Sequence, residues 1–412
     1  MSQKKPGKLA QIVNSVLGLN IVKLDPAIII DYGGTTSGQY VTVDRAMKLS
    51  AVFACVRLIS ETVSTLPLKL YRRNADGSRS VATDHPLYNV LCRSPNYEMT
   101  PSRFYLMIVA SGCLWGNAYV EKIMIGMRLV SLNPLLPQNM AVTRDKITGG
   151  LIYTYTENGV RRVIPEANMM HIRSFGTDGV MGLSTIVKGK DIFGTALAAE
   201  ETAGKFFEKG LQTSGFITTK DQLNDDQREG LRTSLQTFAG SKNSGKTMVL
   251  ENDMKYQGMT MNPEAAQMIE TRVFEVEEIC RMWRVPPFMI GHLDKQSSWA
   301  SSVEGMNQQF LSHTLRPILV NLEQEIARSL IPALESETIF AEFNVEGLLR
   351  ADSKGRVEYY NAAVNNGWMS RNEVRQKENL APVAGGDIYT VQAALIPLDQ
   401  VGKNLIKEST SE

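Results

Sequence analysis

The sequence predicts an α+β fold, and three patterns carry that prediction. Strand-type alternation is concentrated in residues 118–173. Stretches with apolar residues three or four apart lie before and after that block, at helical period. Helices and strands are therefore segregated along the chain, which reads as α+β.

The elements follow in order. Residues 1–24 carry Lys4, Lys5 and Lys8 ahead of Leu9–Leu19, a superficial likeness to a signal peptide. Gln11, Asn14 and Ser15 interrupt the apolar run and no small-residue cleavage site follows, so a mobile basic arm is expected. Ala46–Ser64 reads as a helix, with Val52, Val56, Ile59 and Val63 on one face. Pro67 opens a strand at Leu68–Arg72, and Asn74–Gly77 is a turn. Thr100 is an N-cap with Pro101 in the first helical position; that helix runs to about Leu114 and Gly116 ends it. Leu151–Thr156 and Val160–Ile164 form a hairpin around Glu157-Asn158-Gly159.

The middle of the chain is helical. Leu183–Glu208 reads as one long helix whose polar face carries Lys188, Lys190, Glu200, Glu201, Lys205 and Glu208. Gly189, Gly194 and Gly204 each cost such a helix about 1 kcal/mol relative to Ala, which suits a very close helix neighbour. A second helix starts at Asn262-Pro263 and stops at Val285-Pro286. Its stripe Ile269, Val273, Val276, Cys280 and Trp283 is spaced for packing along another helix. A third opens with a capping box, Ser301–Glu304, runs to about Leu330, and should kink near Thr314 because Pro317 lies inside it. Asp352–Asn365 is a further helix, and Ser370–Glu373 is a second capping box.

Composition narrows the function. The chain has 412 residues, 43% hydrophobic, with 44 Lys+Arg against 43 Asp+Glu. Such balance disfavours a sequence-specific DNA binder but does not exclude DNA passing through a hole, where strong attraction would hinder movement. Cys55, Cys92, Cys113 and Cys280 form no CxxC pair and read as reduced, buried thiols. The four histidines lack metal-ligand spacing, so no metal and no cofactor is expected. The most apolar run, Phe104–Trp115, is shorter than the about 20 residues a bilayer span needs, so neither a membrane nor a membrane-inserting ring is expected.

Gly240–Thr247 matches the phosphate-loop pattern GxxxxGK[ST] letter for letter. A working loop needs a strand before it and a helix after it. Here Asp225–Phe238 reads as a helix before it and Thr247–Leu250 as a strand after it, so a plain turn is favoured; a P-loop NTPase using Gly240–Thr247 is the rival. His171 lies in an alternating strand segment and reads as structural. No Ser/His/Asp set or carboxylate pair makes a coherent active site, and no catalytic residue is assigned.

Several segments together resemble one family. They are ACVRLISETVSTLPLKLYRR from Ala54, HPLYNVLCRSPN from His85, and MTPSRFYLMIVASGCLWGNAYVE from Met99. HIRSFGTDGVMGLSTI from His171, AAEETAGKFFEKGLQTSGFI from Ala198, IETRVFEVEEICRMWRVPPFMIG from Ile269 and GWMSRNEVRQKENLAPVAGGD from Gly367 follow in the family's order. The resemblance is to the portal, or head–tail connector, proteins of long-tailed bacteriophages, and covers roughly residues 40–390. Lys209 stands where the family usually has Asn, and Thr185 where it has Pro.

The resemblance implies a ring, usually of twelve subunits, at one vertex of the virion capsid, built from protein made in the host cytoplasm. It implies a wing at 25–182, stem helices at 183–210 and 263–290, a clip at 211–262, and a tunnel loop at 291–300. A kinked wing helix and strand at 301–350 and a crown with a mobile tail at 351–412 complete it. Within the loop it points to His292, Asp294, Lys295, Gln296, Ser297 and Trp299 as DNA-channel residues. On the stem it points to Lys188, Lys190 and Lys205. Implied partners are further copies of the chain, double-stranded DNA read without sequence preference, a terminase, the major capsid protein and a head–tail adaptor.

Overall fold

The computed structural model describes residues 34–209, 215–219, 223–238, 254–258, 264–292, 305, 307–345, 353–378 and 380–390. The expected arm, the Gly240–Thr247 turn, the strand at Thr247–Leu250, the caps at Asn262 and Ser301, and the tail after Thr390 lie outside these residues. The chain divides into two compact units, one ending at Phe343 and one beginning at Asn344.

The first unit opens with α1 (Val43–Ala46) and α2 (Ser50–Thr65). One continuous helix was expected from Ala46. The chain instead turns at Met47–Leu49, with Thr42 capping α1 and Ala46 and Leu49 both buried. Val52, Val56, Ile59 and Val63 face the core as their period predicts. Strand β1 (Leu68–Arg73) turns through Gly77, at φ +83, into β2 (Arg79–Val81). Helices α3 (Pro86–Cys92) and α4 (Pro101–Trp115) follow. Thr100 accepts from the Arg103 N–H, and Gly116 closes α4 at φ +75, as the sequence predicts.

Strands β3 (Asn117–Ile125) and β4 (Arg128–Leu135) form one antiparallel hairpin. Strands β5 (Met140–Arg144), β6 (Leu151–Glu157) and β7 (Val160–Ile164) form a second sheet. The β6–β7 turn is two residues, Asn158 and Gly159, both at positive φ. Glu157 is not part of it; it pairs with Val160. Strand β8 (Met169–Arg173) returns to the first sheet beside β3. Tyr119, Val142, Tyr153, Tyr155, Ile164 and Met169 form a common core between the two sheets.

The long helix expected at Leu183–Glu208 is broken. It comprises α5 (Thr185–Lys188), capped by Ser184, and α6 (Lys190–Lys209), with Gly189 at φ −94 and ψ 16 between them. After α6 come β9 (Gly215–Thr218), α7 (Asp225–Phe238) and β10 (Lys255–Gly258); β9 and β10 pair antiparallel. Asn224 and Gln227 cap α7 reciprocally. Helix α8 (Glu264–Trp283) packs along α6.

A π-helical turn at Phe310–Leu315 leads into α9 (Arg316–Leu330). It stands at the expected kink. Pro317 has no N–H for the carbonyl four residues back, and the wider turn accommodates the loss. Strand β11 (Ile339–Phe343) then joins β1 antiparallel, with Leu68 opposite Phe343. The second unit contains α10 (Ser353–Asn365) and α11 (Arg371–Lys377). The Ser370–Glu373 capping box forms in full. Buried Asn372 accepts from the Val383 N–H and donates to its carbonyl, and a side chain at Gly386 would collide with it.

Candidate functional site

The quoted motifs converge on a structural junction. Asn117, the second residue of β3's Gly-Asn-Ala-Tyr, is buried. Its Oδ1 accepts from the Gly182 N–H at 2.8 Å, and its Nδ2 donates to the Gly182 carbonyl at 2.8 Å. The same Oδ1 is 2.9 Å from His171 Nε2, and the Tyr153 hydroxyl is 3.2 Å from His171 Nδ1. Because Oδ1 can only accept, Nε2 carries the proton and Nδ1 accepts from Tyr153. Burial drives the His171 pKa down to about 2, helped by Arg173 and Arg328. The ring is neutral, 1% exposed and stacked on Tyr119. It is a structural histidine with no proton to exchange near neutrality.

Glycine makes this junction possible. A Cβ on Gly182 would overlap the Gly116 carbonyl, and one on Gly116 would overlap the Leu183 carbonyl. Ser174 N–H donates to the Gly116 carbonyl at 2.8 Å, and Ser184 Oγ donates to the Leu114 carbonyl at 2.8 Å. The end of α4, the start of β3 and the start of α5 are thereby locked together. This lock sets where α5 and α6 leave the sheets.

The α6–α8 pair is anchored at its base. Phe193 and Trp283 meet with ring centroids 5.7 Å apart, and Trp283 Nε1 donates to the Cys113 carbonyl at 3.1 Å. A Cβ at Gly189 would lie 2.7 Å from the Phe193 ring and 2.9 Å from the Met282 methyl. The expected close helix neighbour is thus α8 at Gly189. Gly194 packs on Thr35 and Ser37 instead, and Gly204 meets nothing within 4 Å among the described residues. Cys55 and Cys280 lie sulfur to sulfur at 3.9 Å, and this contact with burial pushes the Cys55 thiol up. Burial pushes Cys113 up to about 12. Cys92 is only half-buried, against the expectation of full burial.

The α8 stripe differs from its prediction. Ile279, Cys280 and Trp283 are buried and Val276 is half-buried. Val273 is 43% exposed, and Glu275 is buried in its stead. A crevice of about 290 Å³ lies there, lined by Leu49–Ala51 at the start of α2, Ala196 and Glu200 of α6, and Arg272, Glu275 and Ile279 of α8. His292 completes the lining. Glu275 carries no sequence signal; it stands in an acidic run whose other members, Glu277 and Glu278, are half-buried and pair with Arg281.

Of the residues singled out by resemblance, His292 is at this crevice. Asp294, Lys295, Gln296, Ser297 and Trp299 lie outside the described residues. Lys188 is exposed in the last turn of α5. Lys190 opens α6, beside Asp191, whose carboxyl is held below the usual range by the Thr36 N–H. Lys205 lies further along α6. The break at Gly189 means that Lys188 does not share a helix with the other two. Among the described residues no group of three metal-binding side chains occurs, and no helix is long and apolar enough to cross a membrane.

This arrangement offers an anchored helix pair, and its buried polar junction serves structure. A family model described as phage portal protein matches residues 50–379. The chain belongs to the phage portal protein family. It is 32% identical over 366 residues to the portal protein of Enterobacteria phage HK97, covering 88% of this chain and 85% of that one. It is 29% identical over 388 residues to a probable portal protein of Streptomyces phage phiC31, covering 88% and 81%. Among solved structures, a chain in the neck of an empty gene transfer agent particle aligns with TM-score 0.59 at 23% identity, over 87% of this chain and 94% of that one. An HK97-family phage portal protein from Corynebacterium diphtheriae aligns with TM-score 0.54 at 16% identity, over 78% and 100%.

Proposed function

We propose that this chain forms a ring at the portal vertex of a phage head and passes double-stranded DNA inward during packaging and outward during ejection. The family match over residues 50–379 carries the reading. A neck structure computed with twelvefold symmetry shares the fold, which supports a ring of about that size. In this reading residues 25–182 with 301–350 are the wing, 183–210 and 263–290 the stem, 211–262 the clip, 291–300 the tunnel loop and 351–412 the crown. Lys188, Lys190 and Lys205 on the stem and Lys295, Gln296 and Ser297 in the loop would meet phosphate oxygens, which carry no base identity. Many equal, weak contacts around a ring hold DNA without trapping it.

The ring would nucleate the head with the major capsid protein, dock the terminase and later bind a head–tail adaptor. Chemical energy would come from the terminase, so this chain is no enzyme. Helix α7 ends two residues before Gly240, which supports that view, since a phosphate loop follows a strand. Imaging the purified chain without nucleotide tests the proposal. A ring of about twelve around an open channel supports it. A six-membered ring that tightens on ATP overturns it.

A further inference from the structure

The crevice between the start of α2, α6 and α8 holds a side chain that the single subunit leaves incomplete. Glu275 is 8% exposed, and its Oε1 has no hydrogen-bond partner among the described residues. A buried carboxylate without a partner is strongly unfavourable. Arg272, one turn earlier on α8, is exposed and makes no ion pair with it among the described residues. Glu200 on α6 faces the same crevice, which carries two carboxylates against one guanidinium. Burial raises the Glu275 pKa, and the nearby Arg272 offsets this only in part. Apolar surface adjoins the crevice: Val273 and Phe274 are 43% and 55% exposed on α8. Exposed apolar side chains beside a buried, unpaired carboxylate oxygen mark a surface that gains from being covered by a partner carrying a cation.

We infer that this crevice is a socket between adjacent copies of the chain, and that an Arg or Lys of the neighbouring copy enters it to pair with Glu275. The inference rests on the ring reading. In a ring every interface is the same head-to-tail contact, so one socket on each subunit is filled once by its neighbour. The crevice supplies the anion and the neighbour the cation. The start of α2, which has no side-chain cap at Leu49, lies in the same lining and is covered by the same contact.

Glu275→Gln tests this, because it keeps the shape and removes the charge. The expected result is a subunit that melts no lower than wild type but needs a roughly thirtyfold or greater concentration to form rings, as for loss of a buried interfacial pair. Unchanged ring assembly with a raised melting temperature overturns the inference, since Glu275 would then be a carboxylate stranded within one subunit. Should the variant misfold, a map of the wild-type ring decides. A neighbour's ammonium or guanidinium within about 3 Å of Glu275 supports the socket. A ring in which Glu275 meets only water or its own chain removes the socket and leaves the ring. A wild-type chain that forms no ring, free or in assembled heads, removes both.

Discussion

At the scale of single residues, buried polar groups and glycines carry the most consequence. His171 is held neutral by burial, with its folded pKa far below the ordinary 6.5. The unfolded chain therefore binds a proton that the folded one refuses, so this contribution is intact above pH 6.5 and is lost as pH falls toward 2. By pH 5 the loss is about 2 kcal/mol. Thermal melts of wild type and His171→Gln across pH 5–7 should show a flatter pH dependence for the variant; parallel curves would refute this. Gly182→Ala places a methyl on the Gly116 carbonyl. It should cost about 3 kcal/mol or more, seen as a lowered urea midpoint. The sequence marks both glycines as motif letters but not as partners, because 65 residues separate Asn117 from the Gly182 carbonyl it holds.

At the scale of elements, caps and breaks decide where helices run. The Thr100 cap, the Gly116 stop, the Asn158-Gly159 turn and the Ser370–Glu373 box were legible because each depends on residues within one turn of chain. The break at Gly189 was not. Residues before and after it share helical period, and the missing Cβ is explained by the Phe193 ring of α6 and the Met282 methyl of α8, which fill its place. Gly189→Ala should force Phe193 or Met282 aside and cost about 1–2 kcal/mol. The shift is expected in the near-ultraviolet signal of Trp283, which packs on Phe193. An unchanged spectrum and unchanged stability would mean that the α6–α8 contact is loose there.

At the scale of the whole molecule, the portal-family match over residues 50–379 and the GxxxxGK[ST] pattern at Gly240–Thr247 lead to opposite expectations for ATP. Gly240–Thr247 tests that contrast directly. The purified protein should hydrolyse no ATP above background, and Lys246→Ala should change neither that background nor ring formation. Robust hydrolysis abolished by Lys246→Ala would overturn the portal reading in favour of an NTPase. The loop residues Asp294 to Trp299 were reached through family resemblance alone. Glu275 was reached through burial alone, since its helix period and acidic neighbours place it on a solvated face.

The sequence by itself determined the α+β class, the hairpin around Asn158-Gly159, the caps at Thr100 and Ser370, the expected bend before Pro317, and the order of motifs that places the chain among portal proteins. These are written in short-range chemistry or in the order of letters. Tertiary structure alone decided that β11 completes the sheet of β1, that Asn117, His171 and Gly182 form one buried junction, and that Glu275 turns inward. Each of those depends on atoms brought together from distant parts of the chain, and no local pattern records which partner will arrive.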